Sequence, residues 1–264
     1  SRRRHPTARA ARVRRGPPLG VLSGADLTAR VRAAHADAWE LAGRAREPFG
    51  GGVARVRGAR LMASGIARAQ WNNADVVDES VDVDAVVRWY EPRGVPWGMR
   101  VPVEIELDVG EPLFVKRCVA LLPGTRGAAG EVRLEDDPRA YAALEAAAFD
   151  YEPSAALEWV GPEFGHPGYR HWVATVKGAP AAIGTTVRTD GDAGPAAYLT
   201  GLALLPGAPV AALAALVDTA AADAFASGAA FVHANPSTAE EDAALAAHRP
   251  VEVAGLLVRV LRSG

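Results

Sequence analysis

Proton transfer near neutral pH needs groups that titrate there, and the sequence carries six histidines, the residue whose free pKa lies closest to neutrality. His233 stands inside the apolar run Ala230-Phe-Val-His-Ala-Asn235, and Tyr198 opens another, Tyr198 to Leu205. Thr200 and His248 are further polar candidates. A third group lies between Tyr151 and Tyr169, a stretch dense in aromatic and acidic side chains, where Glu158, Glu163 and His166 offer two carboxylates and an imidazole. Imidazole, phenol and carboxylate can between them supply a general base and a general acid for group transfer. Metal chemistry has little support. No two histidines sit at i, i+4, and His166 and His171 have no cysteine near them, so no metal site is expected. Cys118 is the single cysteine, which excludes an internal disulfide framework and a multi-cysteine zinc site. Its apolar setting, Leu113 to Leu122, reads as a buried strand thiol.

The elements that must position these groups follow from periodicity and punctuation. The chain has 264 residues, 49% of them hydrophobic, enough for one large domain or two smaller ones. Ser23-Gly-Ala-Asp26 can cap a helix over Leu27 to about Ala45, stopped by Pro48 and a glycine run. Strands are expected at Val53–Arg57, Ala59–Ser64, Gln70–Val77, Gly98–Glu106 and Leu113–Leu122, with a short helix from Ala85 to Tyr90 capped by Asp82 or Asp84. The turn-rich stretch Pro123–Gly130 reads as a linker. A second unit then runs strand (Glu131–Leu134), a helix opened by Asp136-Asp-Pro-Arg-Ala140, strands at His171–Val176, Ala181–Val187 and Tyr198–Leu205, a helix from about Pro209 to Ser227, strand Phe231–Ala234, a short helix Ala239–Ala247 and a last strand Leu256–Leu261. Both units run helix, strands, helix and closing apolar strand, which makes an α/β (α+β) chain of two mixed-sheet units. The expected division is a basic flexible arm at 1–18, a first and partial unit at 19–123, and a second unit at 131–264.

The order from Trp172 to Val253, strand, turn, strand, then Leu199-Thr-Gly-Leu-Ala-Leu-Leu-Pro206, a long helix and Ala230–Asn235, resembles the acyl-CoA half of a GNAT acetyltransferase. Ala63-Ser-Gly-Ile66, Trp71-Asn-Asn-Ala74 and Val95-Pro-Trp-Gly-Met-Arg-Val-Pro102 look like the first half of tandem GNAT proteins of actinobacterial type. The resemblance implies two GNAT-like units in tandem and transfer of an acyl group from acetyl-CoA or another acyl-CoA to a small amine or hydroxyl acceptor. It implies that the backbone of Leu202, Ala203 and Leu204 meets the pantetheine arm, that Val210, Ala212 and Ala214 lie at the pyrophosphate loop, and that Asn235 and Ser237 bond the pantetheine. Ser237 or Thr238 ahead of Ala239, with Glu240 or Glu241 three residues on, is also a helix-capping signature. Tyr198, His233 and Glu158 are the catalytic candidates that the same comparison leaves.

The sequence departs from the family at the phosphates. Members carry an Arg/Gln-x-x-Gly-x-Gly/Ala loop, whose glycines let backbone N–H groups approach the diphosphate at a helix N-terminus. Here Gly207-Ala-Pro-Val-Ala-Ala-Leu-Ala214 holds one glycine and no arginine, with Pro209 where the arginine is expected. No tyrosine occurs between Ala239 and Ala247, where members place a leaving-group acid. A donor carried on a carrier protein or an aminoacyl-tRNA needs no such loop. The arm at residues 1–18, with seven arginines and no acid, could recruit either. A non-catalytic GNAT-like binding protein is the third reading. The net charge of -2 makes no whole-chain case for nucleic acid. No apolar run reaches membrane-spanning length, and the N-terminal segment lacks a signal-peptide apolar core, so a cytoplasmic protein with no membrane partner is expected.

Overall fold

Leu27, Val31, Ala34, Ala38 and Ala42 recur at helical spacing and are buried together on one face of α1, Gly24–Ala45. The computed structural model describes residues 24–124 and 130–261. The basic arm at 1–18 and residues 125–129 of the expected linker lie outside them. After α1 come β1 (Gly52–Val56), β2 (Ala59–Ala63), β3 (Asn72–Val76), α2 (Val83–Tyr90), β4 (Trp97–Pro102) and β5 (Glu111–Leu121). The second half runs β6 (Glu131–Leu134), α3 (Pro138–Phe149), α4 (Pro153–Val160), β7 (Tyr169–Val176), β8 (Ala179–Gly191), β9 (Gly194–Leu204), α5 (Val210–Ala226), β10 (Val232–Ala234), α6 (Ala239–Leu245) and β11 (Val251–Leu261). Asp82 caps α2 by accepting from Ala85 N, and Asp137 caps α3 with Pro138 in its first turn. No helix among the described residues is long and apolar enough to cross a membrane.

The two mixed-sheet units merge into one eleven-stranded sheet, ordered β1-β2-β3-β4-β11-β5-β10-β9-β8-β7-β6. Their closing strands change places. β11 enters between β4 and β5, and β5 pairs with β10 of the second half at Val119–Leu121. The first half is the more abbreviated, with the eight-residue α2 and a short 3-10 turn at Glu91–Arg93 between its parallel strands. Side chains alternate across the sheet, so neighbouring residues serve different layers. Ala120, Ala196 and Phe231 pack beneath α1, while Val119, Leu121, Ala197 and Val232 pack beneath α5 and α6. The α3–α4 pair covers Val173 and Ile183 on the α1 side.

The segment from Tyr151 to Tyr169, in which no helix is expected from the sequence, contains α4, an eight-residue helix with Pro153 in its first turn. β11 is continuous where the sequence suggests a break, and a register shift between Val253 and Leu256 absorbs the irregularity.

Candidate functional site

Parallel strands cannot be joined by a tight turn, and β9 and β10 are linked by the crossover helix α5. β9 and β10 pair at Ala197–Val232, Tyr198–His233 and Leu199–Ala234. Beyond that, β9 continues to Leu204 while β10 ends and the backbone leaves through Asn235-Pro-Ser-Thr238. A bulge marks the fork. Thr200 pairs with Thr185 and Ala203 with Ile183, so Gly201 and Leu202 together oppose Gly184. Gly201 has φ +60°, with open space where a Cβ would stand. The fork opens into a cleft of about 770 Å³, walled by Tyr198–Leu202 on one side and Phe114–Arg117 of β5 on the other.

The structure brings Tyr198, Leu202, Asn235 and Ser237 to this cleft. The Asn235 amide donates to Arg117 O at 2.7 Å and to Cys118 Sγ at 3.1 Å, fixing the turn against β5. Its Oδ1 is buried with no hydrogen-bond partner among the described residues. Ser237 is held by the α6 cap: its N–H donates to the Glu241 carboxylate at 2.6 Å, while Thr238 Oγ1 accepts from Glu241 N at 3.2 Å. The side chains of Ala203 and Leu204 pack into the cores under α3–α4 and α5. Val210, Ala212 and Ala214 belong to α5 and do not line the cleft, and the Ala212 side chain is buried in the core. Pro209, at the N-cap, makes no side-chain cap. The N–H groups of Val210 and Ala211 begin the helix and have no acceptor within it.

His233 and Tyr198 do meet, as rings stacked 4.6 Å apart and 5° from parallel. His233 is fully buried, and neither ring nitrogen has a hydrogen-bond partner among the described residues. Burial, with His35 and Lys116 nearby, pushes it well below the ordinary histidine range, so it is neutral. Glu158 is exposed on α4 and stands apart from both. Glu163 is buried in an ion pair with Arg46 at 2.7 Å, which locks the end of α1 to the turn after α4. Burial and the Glu163 carboxylate push neighbouring Glu145 up to about 8. His166 Nδ1 accepts from Gly168 N within its own loop, and His248 lies 3.7 Å from Asp218.

Sequence reasoning missed the polar group on the α1 side of the fork. Asp75 of β3 receives Arg100 Nη2 at 2.8 Å. His35 of α1 places Nδ1 3.4 Å from the same carboxylate. His35 Nε2 accepts from Trp39 Nε1 at 3.3 Å and stands 3.4 Å from Lys116 Nζ. The His35 ring lies 5.4 Å from that of Tyr198. Burial, then the charges of Arg100 and Lys116, push His35 down to about 3. Burial raises the Asp75 carboxyl, but Arg100, His35 and Lys116 together outweigh it and hold Asp75 at about 2. The result is an ionised Asp75, a neutral His35 with its proton on Nδ1, and a lysine ammonium facing Nε2. Two signals for it lay in the sequence: Lys116 is one of only two lysines and sits in an apolar strand, and His35 and Trp39 share a helix face at i, i+4.

No family model matches the sequence, and no curated protein matches it significantly. Solved structures do resemble it. A GCN5-related N-acetyltransferase from Kribbella flavida superposes with a TM-score of 0.62 at 13% identity, over 88% of this chain and 96% of its own. A putative GNAT-family acetyltransferase from Novosphingobium aromaticivorans gives 0.55 at 14% identity, over 86% and 98%. A GCN5-related N-acetyltransferase from Sphaerobacter thermophilus gives 0.51 at 15% identity, over 92% and 95%. At such identities the likeness is one of architecture, and it establishes that this chain has a GNAT-like fold.

Proposed function

We propose that the protein is an acyltransferase that takes its acyl group from a thioester whose pantetheine arm lies in the fork between β9 and β10. The observation that carries this is the open fork itself, with its bulge at Gly201 and the unpartnered Asn235 Oδ1 on its wall. A pantetheine arm is a thin chain with amide N–H groups, and it needs an accessible strand edge and acceptors rather than particular side chains. The thioester supplies an activated acyl carbon. Tyr198, which lines the cleft and is held by stacking on His233, is the candidate acid for the departing thiolate. The acceptor is a small amine or hydroxyl, approaching from the β5 side.

The diphosphate of CoA fits less well. The start of α5 offers two free N–H groups and its dipole, roughly 0.3–1 kcal/mol when exposed, but no arginine and no glycine-lined cradle. That observation favours a second donor, a pantetheine thioester on a carrier protein, with the arginine-rich arm at 1–18 as its docking segment. Calorimetry with acetyl-CoA, acetyl-pantetheine and an acylated carrier protein separates the two. Acetyl-CoA binding much tighter than acetyl-pantetheine supports a CoA donor. Equal weak binding of both, with tight and salt-sensitive carrier binding lost on removal of 1–18, supports the carrier. No binding of any of the three removes the acyltransferase reading and leaves a GNAT-like binding protein.

A further inference from the structure

The cleft does not end at the fork. Gln70, Phe114 and Lys116 border both it and a second hollow of about 200 Å³, set over the strands β4, β11 and β5. That volume displaces about seven waters at roughly 30 Å³ each, room for one side chain and not for a drug-sized body. Its walls are largely apolar, formed by Trp39, Leu113, Phe114, Val258 and Val260. Leu113 and Phe114 remain 58% and 56% exposed, an apolar surface left uncovered by the described residues.

Charge at the mouth is equally defined. Arg100 borders the hollow but is neutralised by Asp75. Arg117, on the cleft side, is taken by Asp242 and Glu252. Lys116 makes no ion pair with a carboxylate among the described residues; its ammonium faces the lone pair of neutral His35. That contact aims the charge without cancelling it, because His35 Nδ1 faces Asp75 and Trp39 shares Nε2. His35 is therefore a positioning residue for Lys116.

We infer that the hollow is the acceptor site and that its ligand is an apolar or aromatic α-amino acid, with its side chain among Trp39, Leu113, Val258 and Val260 and its carboxylate on Lys116. The amino group then points along the cleft toward Tyr198 and the fork. In the transfer, the amine nitrogen forms a bond to the thioester carbonyl carbon and the carbon–sulfur bond breaks. The sulfur leaves as thiolate to be protonated, and the nitrogen gives up one proton, yielding an N-acyl amino acid and a free thiol. This rests on the acyltransferase reading for its chemistry, but not for the binding of the amino acid.

The test separates the two. L-phenylalanine, L-leucine, L-serine and 2-phenylethylamine are titrated into the full chain without any donor, following tryptophan fluorescence and heat. Thiol release is measured separately with acetyl-CoA, acetyl-pantetheine and an acylated carrier protein as donors. Phenylalanine and leucine are expected to bind, with 2-phenylethylamine weaker by about 10- to 100-fold, the range for one charge-assisted contact. Lys116→Met should abolish that difference, Lys116→Arg should retain it, and Val258→Trp should block both aromatic ligands. Phenylethylamine binding as well as phenylalanine, serine binding best, or no amino acid binding at all each overturns the inference. Phenylalanine binding with the expected Lys116 dependence but without thiol release upholds the pocket and sinks the acyltransferase reading. Thiol release to other amines, without phenylalanine binding, does the reverse.

Discussion

His35 gives the sharpest physical prediction, because it is a fully buried imidazole with charged neighbours on three strands: Asp75 on β3, Arg100 on β4 and Lys116 on β5. His233 of β10 and Tyr198 of β9 complete its surroundings. The unfolded chain takes up a proton on this histidine near pH 6.5, and the folded chain not until about pH 3. Between those values the unfolded state binds more protons, so stability falls as pH falls. One such group costs about 1.4 kcal/mol per pH unit, and about 5 kcal/mol over the whole interval. Asp75, held at about 2, adds its own loss only below the ordinary carboxylate range. His171, pushed down to about 3, acts in the same direction as His35. Glu145 at about 8 acts in the opposite one, since its folded form keeps a proton that the unfolded form gives up as pH rises. The wild-type curve is therefore a sum, and the informative quantity is a difference of slopes. Urea unfolding of wild type and His35→Gln, measured at steps between about pH 6 and pH 4.5, should give lines that converge by about 1.4 kcal/mol per unit. The intercept includes the lost contacts to Trp39 and Lys116, but the slope does not. Parallel lines would mean that His35 is protonated in the folded protein, and the assignment of a neutral ring aiming Lys116 would fall.

Three further outcomes are expected. Asn72 is completely buried; its Oδ1 accepts from Ser64 N and Oγ, and its Nδ2 donates to the carbonyls of Ile66, Arg68 and Pro96. Asn72→Ala should cost about 2–4 kcal/mol by urea unfolding, since several buried groups lose partners at once. Thr238→Ala removes the α6 cap and should cost about 1 kcal/mol in the same assay. Thr200→Trp puts an indole into the fork and should weaken acetyl-pantetheine binding at least about tenfold, or 1.4 kcal/mol, while the urea midpoint moves little.

Legibility followed the range of the interactions. Elements set by local pattern were readable: α1 from its apolar spacing, α2 and α3 from Asp82 and Asp137 at their caps, β9 from the run that ends at Pro206. Helix α4 was not, because eight residues mixing Trp159, Glu158 and three alanine or leucine positions give too short a period to outvote a loop, although Pro153 marked its start. The pairing of β11 with β4 and β5 joins segments from opposite halves, and no local pattern encodes it. The same holds for the site. Tyr198 and His233 were visible because both stand on strands whose order the sequence displays. His35, Asp75 and Lys116 were missed because each looks ordinary in its own element, and only the sheet assembles them.

The reciprocal placement of β5 and β11 bears on how the protein is made. β5 leaves the ribosome long before either strand it will lie between, with Leu113, Phe114 and Val115 bare and both edges unpaired. Such an edge is open to wrong partners for as long as synthesis of the second half lasts. The acceptor hollow takes its walls from both travelling strands, Phe114 and Lys116 from one and Val258 and Val260 from the other. A chain lacking β11 therefore lacks the Val258 and Val260 walls of the hollow. The hollow is complete only when β11 lies between β4 and β5, so binding of the proposed ligand would report on the placement of the last strand.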